Sequence, residues 1–313
     1  MEAIIEPIDK RLLISELTPD KFLRRTNFGD NEIYIFKHAD SPNLMREVGR
    51  LRELTFRNAG GGTGLACDID EYDTGEKPYT QLIVWNPDDK EILGGYRYIT
   101  GFDAPLDADG NPVLATSQLF YYSSEFKRNY LPYIIELGRS FVVPANQATT
   151  TSRRSLYTLD NLWDGLGALV VNHPEAHYFF GKATMYRHYN QEARNILLYF
   201  LNLYFGGNEE LAHLINPLDL HFNLEKLKPM FSGNNYKADY QTLSRNVRAL
   251  GERIPPLINS YMGLSPTMKV FGTSLNPYFG NVEETGLMVT IADIYPDKSE
   301  RHIKTYTKTT ITK

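Results

Sequence analysis

The sequence predicts a mixed α/β fold with a largely antiparallel sheet. Three observations carry that prediction. Strand-like and helix-like segments interleave, hairpin-like strand pairs stand near both ends, and no repeat or low-complexity linker interrupts the 313 residues. A purely parallel, doubly wound sheet would lack those hairpins. The length and the 42% apolar content suit one continuous domain over residues 1–313 with a sizeable core.

Taken in order, residues 33–36 read as a short strand. Ser41-Pro42 then supplies an N-cap and a first-turn proline, opening a helix through Arg57 with Leu44, Val48, Leu51 and Thr55 on one face. Gly60-Gly61-Gly62-Thr63-Gly64 ends it. No strand precedes this run and no clear helix follows, so it reads as a mobile loop and candidate lid, not a dinucleotide fingerprint. Residues 82–85 and 92–99 form paired strands across the turn-rich Asn86-Pro87-Asp88-Asp89. Residues 121–130 read as helix, 135–143 as strand, 162–171 as helix, 178–185 as strand and 191–205 as a strong helix. Residues 207–262 form a helical insertion before two last strands near 269–273 and 287–294. The tail, 296–313, is polar and expected to fray.

Composition excludes several functions. A net charge of −5 gives no reason to expect nucleic-acid binding. The single cysteine, Cys67, excludes an internal disulfide framework and a multi-cysteine zinc site, and suits a reducing cytoplasm. As a nucleophile Cys67 has no histidine nearby in sequence, so it reads as structural. The N-terminus lacks an apolar signal core. The greasiest helix, 195–205, is far short of the roughly 20 residues of a membrane span, so any lipid contact would be peripheral, at the inner membrane face. His173 and His177 have a metal-binding spacing, but Pro174 breaks the helix that spacing needs, and no metal is expected. Tyr199, Phe200, Tyr204 and Phe205 read as core in preference to the wall of an acyl tunnel.

The chemistry concentrates in four places. Asp68, Asp70 and Asp73 follow the glycine run; Arg97 follows Gly94-Gly95-Tyr96 on a strand; Glu136 and Arg139 lie three residues apart in an apolar strand; and Arg153-Arg154 precede Leu162-Trp163-Asp164-Gly165. Ionised groups in a buried strand need partners, so Glu136 and Arg139 are either a structural pair or a base and a cation delivered to a pocket. Burial would raise the pKa of Glu136, and pairing with Arg139 would lower it.

The order of an acidic cluster, Gly-x-x-Arg and Glu-x-x-Arg-x-x-Val resembles the acyl-homoserine-lactone synthases. Glu136-Leu137-Gly138-Arg139-Ser140, Leu162-Trp163-x-Gly165, the aromatic strand Tyr178 to Gly181, and Pro255-Pro256-Leu257 with Tyr261 look more like the bacterial aminolipid N-acyltransferases. Those proteins make ornithine or glycine lipids and are often labelled haemolysin-like. The likeness spans roughly residues 45–295 and implies a GNAT-like acetyltransferase fold, in which two strands splay around a pantetheine thioester.

The implied activity is transfer of a long-chain acyl group, 3-hydroxy chains included, from acyl carrier protein to the amine of a small amino acid. No cofactor would be held permanently; the phosphopantetheine thioester of acyl carrier protein, or acyl-CoA, is a co-substrate. Glu136 is the implied base beside Arg139, and Asp70, Asp73 and Arg97 the acceptor site. Phe141, Val142 and Val143 would meet the thioester through their backbone, and Arg153 and Arg154 its phosphate or an acidic carrier. The helix at 162–171 could turn its N-terminus to phosphate, but no glycine-rich pyrophosphate loop precedes it, which favours carrier protein over free coenzyme A. One departure stands out: Gln81 occupies a place where relatives often carry histidine, and glutamine cannot take a proton. Two other functions stay open: acetyl transfer from acetyl-CoA, and acyl binding without catalysis.

Overall fold

The computed structural model describes residues 1–146, 155–208 and 210–308. Ten strands are present among them: β1 Phe22–Arg25, β2 Glu32–Phe36, β3 Thr80–Asn86, β4 Glu91–Thr100, β5 Phe120–Tyr122, β6 Ile134–Val142, β7 Tyr178–Met185, β8 Ala212–Leu214, β9 Lys269–Asn276 and β10 Val282–Thr290. Eight form one sheet in the order β1-β2-β3-β4-β6-β7-β10-β9, and β5 pairs with β8 apart from it. Within the large sheet β6 and β7 run parallel, and every other pairing is antiparallel. The mixed, mainly antiparallel class read from the sequence is therefore observed.

The helices are α1 Lys10–Glu16, α2 Pro42–Asn58, α3 Glu71–Thr74, α4 Ser124–Asn129, α5 Ser155–Asn172, α6 Gln191–Phe205, α7 Leu224–Leu227, α8 Tyr236–Ala249, α9 Pro256–Met262 and α10 Pro296–His302. Helix α2 covers one face of the sheet: its Leu44, Met45, Val48 and Leu51 are buried with Ile83, Trp85 and Phe141. Each such side chain gains about 1.5–3 kcal/mol on leaving water. Helices α5 and α6 cover the other face, where Leu162, Leu166, Leu197 and Phe200 are buried with Leu82, Val84 and Tyr96. A separate aromatic cluster, including Tyr79, Phe120, Phe180 and Phe271, extends the α2 face towards the small sheet.

Several expectations need correction. Residues 121–130 are not one helix. Tyr121 and Tyr122 belong to β5, because Phe120, Tyr121 and Tyr122 pair with Leu214, His213 and Ala212. Helix α5 opens at Ser155, so Leu162 lies inside the helix and not at its N-terminus. The last strand runs from Val282 to Thr290, earlier than its apolar end suggested. Ser41 does not cap α2. Instead Glu16 of α1 accepts from the Asn43 and Leu44 amides at 3.1 and 2.8 Å, a carboxylate at a helix N-terminus.

The glycine run is anchored, not free. Glu53 of α2, fully buried, accepts from Thr63 N and Gly64 N at 3.0 and 2.7 Å. Nor does the whole tail fray: α10 folds back on α5, with buried His302 2.7 Å from Asp164.

Candidate active site

The sheet opens at one point. β6 and β7 pair from Ile134–Tyr178 to Leu137–Gly181, and beyond that rung no pairing joins them. β6 continues to Val142 and β7 to Met185, so a wedge parts the two parallel strands. Gly181 stands at its apex, where a Cβ would lie 2.6 Å from the Leu137 carbonyl oxygen.

On the other edge of β6 the register with β4 shifts from Gly95–Phe141 to Arg97–Gly138. Arg139 and Ser140 together oppose Tyr96, a bulge with Arg139 in the left-handed region at φ 51°. Period-two alternation would send side chains three apart to opposite faces. The extra residue instead brings Arg139 to the face of Glu136, where its guanidinium lies 4.2 Å from the centre of the Phe279 ring. Val143 N–H donates to Leu93 O at 3.0 Å, so that amide belongs to the β4 ladder. Alternation along β6 turns the Val142 peptide to the wedge edge. The Phe141 ring is buried beneath α2.

Glu136 and Arg139 are not partners. Glu136 is fully buried, and its carboxylate accepts from Thr116 N at 2.9 Å and from the hydroxyls of Thr116 and Tyr79. Tyr79 Oη also accepts from Ala115 N at 3.0 Å, and Tyr122 donates to Thr116 Oγ1 at 2.6 Å. Burial pushes the Glu136 carboxyl above its usual 4.5, and the donors from Thr116 and Tyr79 oppose that rise. Glu136 is thus an acid held by hydroxyls and one amide in an otherwise aromatic setting.

Arg139 pairs with Asp68 at 2.9 Å and Asp70 at 3.5 Å. Asp70 caps α3 by accepting from Tyr72 N and holds Arg97 through two bonds of 2.5 and 2.9 Å. Arg97 also reaches Asp73 at 3.0 Å, and Asp73 pairs with Arg52 of α2 at 3.1 Å. Gln81 donates to Asp73 at 2.9 Å and accepts from Arg52. The three aspartates and three arginines form one charge-balanced network. Burial pushes Asp73 up, but Arg52 and Arg97 outweigh it and hold the carboxyl well below its usual 3.8.

The structure therefore brings Asp68, Asp70, Asp73, Arg97 and Arg139 together, with Glu136 on the same sheet face. It commits Asp73 and Arg97 to each other instead of leaving them open. Arg153 and Arg154 lie outside the described residues. Cys67 is half-buried, and burial pushes its thiol up to about 11, which leaves it a poor nucleophile. Among the described residues no group of histidines, cysteines and acids could hold a metal.

Sequence reading missed Arg52, Gln81's bond to Asp73, Tyr79 and Thr116. Arg52 carried a signal, since it follows Val48 by four residues on the apolar stripe of α2, where a lone charge needs a partner. Tyr79 precedes Gln81 by two on a strand edge, which places both on one face. Thr116 gave none.

The Acetyltransferase (GNAT) domain model matches residues 51–156, from α2 into the start of α5. A protein of Bacteroides thetaiotaomicron named glycine N(alpha)-acyltransferase is 54% identical over 306 residues, 98% of this chain and 91% of its own length. A Phocaeicola vulgatus protein of the same name is 52% identical over 308 residues, 98% of this chain and 94% of its own. Among solved structures, the CoA-dependent acyl-homoserine-lactone synthase BjaI, with SAM and isopentyl-CoA, aligns at a TM-score of 0.40 and 11% identity over 86% of each chain. The acyl-homoserine-lactone synthase LasI aligns at 0.31 and 16% over 49% of this chain and 71% of its own.

Proposed function

This chain belongs to the glycine N(alpha)-acyltransferase family, and from that premise we propose that it moves a long-chain acyl group from an acyl carrier protein thioester to the amine of glycine. The observation that carries this reading is an alignment over 98% of the chain, at 54% and 52% identity, to two proteins of that name, in a chain whose sheet parts beside a buried acid. The chain is an acyltransferase with a GNAT-like fold. The acceptor, the donor and the roles of single residues are this proposal's own.

Transfer to an amine needs a proton removed, a carbonyl polarised and the thioester arm held. The arm would lie in the wedge between β6 and β7. Glu136 would take the proton of the acceptor ammonium, reached through the Tyr79 hydroxyl that already donates to it. The Asp68–Asp70–Arg139 group would line the approach, with Arg52, Gln81 and Asp73 holding Arg97 and α3 in place behind it. An N-acyl glycine with a long chain is an amphiphile and would leave for a membrane surface. Among the described residues no helix is long and apolar enough to cross one, so the contact would be peripheral.

The test is incubation with acyl carrier protein and coenzyme A thioesters of several chain lengths, each with glycine, ornithine, serine and lysine. A long-chain acyl glycine formed from the carrier-protein thioester is the expected product. No acyl amide from any pair would overturn the reading, and a preference for acetyl-CoA would replace it with the short-chain alternative.

A further inference from the structure

Beyond the last rung shared by β6 and β7, the first residue of β7 is Lys182. Glu136 lies level with Phe180, so alternation puts Lys182 on the same face as Glu136, at the start of the wedge. Both strands beside it present glycine: Gly286 faces it on β10, and Gly138 follows Leu137 on β6. The two sides differ. At Gly286 a Cβ would fall 2.3 Å from the Phe120 ring, so that side is filled. Over Gly138 it would meet only the Arg97 side chain, no nearer than 3.6 Å. Lys182 therefore stands between a filled side at Gly286 and an ordinary, looser contact with Arg97 over Gly138.

Lys182 Nζ lies 2.7 Å from Glu284 Oε2. Glu284 also accepts from Asn276 Nδ2 at 2.8 Å and Thr184 Oγ1 at 3.4 Å. The carboxylate is thus held from three sides and keeps 3% exposure, against 10% for the lysine. An ammonium has three donors, and among the described residues this one has a single carboxylate partner. Arg97 and Arg139, on the same face, are each shared between two aspartates. Stability alone is a poor reason for such a pair, because apolar residues of similar volume often do as well.

We propose that Lys182 receives the carboxylate of the amino-acid acceptor, with Glu284 fixing its ammonium beside the apex of the wedge. This rests on the reading of the chain as an acyltransferase with an amino-acid acceptor. It makes the acceptor's negative charge a requirement of binding. The amine would then lie on the β6 side, towards Glu136.

Glycine and glycinamide, two small amines with and without the carboxylate, separate this from a structural role. With a saturating acyl donor, kcat and KM for each are measured in the wild-type protein, Lys182→Met and Lys182→Arg. In Lys182→Met the KM for glycine is expected to rise tenfold or more, as loss of a charge-assisted contact would give (about 10- to 100-fold). The KM for glycinamide should stay, and Lys182→Arg should recover part of the preference for glycine. If Lys182→Met fails to fold, the double variant Lys182→Met with Glu284→Met serves, since it leaves no charge buried alone. Equal losses for the two amines, or a wild-type protein that does not prefer glycine, would overturn the assignment while leaving the acyltransferase reading intact. A wild-type protein that acylates neither amine overturns both.

Discussion

At the residue scale the sharpest question concerns Glu136. Its donors come from Tyr79 and Thr116, 57 and 20 residues away in sequence, so no local spacing could have announced them. The strand around it was legible from its apolar run, and the presence of an acid there was the clue to a site. That Arg139 does not neutralise it was not legible, because the bulge that redirects Arg139 depends on the register with β4. Glu136→Gln should lower turnover by about 10²- to 10⁴-fold, the usual loss of a general base, while donor binding is kept. Single-turnover assays with a donor titration separate the two, and unchanged turnover would remove Glu136 as the base. Because burial raises this carboxyl above 4.5, activity should climb with pH through a midpoint above that value and flatten once the acid is ionised. A pH–rate profile whose acid limb lies at or below 4.5 would contradict the role.

At the scale of elements, periodicity carried the main pieces: α2, β3, β4, β6, β7 and α6 stand where apolar repeats put them. The failures share a cause. Tyr121 and Tyr122 of β5 read as helix because they gain strand geometry only from β8, far along the chain. The polar sequence of α10 reads as a frayed tail because its long-range contacts with α5 and β1 leave no local mark. Gly167 of α5 lets the backbone of α10 approach so closely that a Cβ would fall 2.0 Å from the His302 carbonyl oxygen. This contact gives a prediction whose sign is informative. Glycine to alanine inside an exposed helix stabilises by roughly 0.5–1 kcal/mol. Gly167→Ala should instead destabilise, by about 1–3 kcal/mol, as overpacking does. Urea unfolding of the two proteins decides it, and a more stable variant would mean that α10 does not dock on α5.

For the whole molecule, the charged network matters more than the net charge of −5. Arg52 from α2, the aspartates around α3, Arg97 from β4 and Arg139 from β6 tie the covering helix to the centre of the sheet. Asp73 is its hub, fully buried between Arg52 and Arg97. Its folded carboxyl is held below 3.8, so the folded state binds a proton there less readily than the unfolded chain does. The resulting stability is fully present above about 4 and is lost as pH falls through the depressed folded value. Removing the charge at neutral pH is harsher, since Arg52 and Arg97 would each lose a partner while staying buried. Asp73→Asn should therefore cost about 3–5 kcal/mol at pH 7 and lose less stability than the wild-type protein between pH 5 and 3. Denaturant unfolding of both proteins across that range measures the difference. Parallel pH dependences would show that the acid sensitivity arises elsewhere and that Asp73 does not join α2 to the sheet electrostatically.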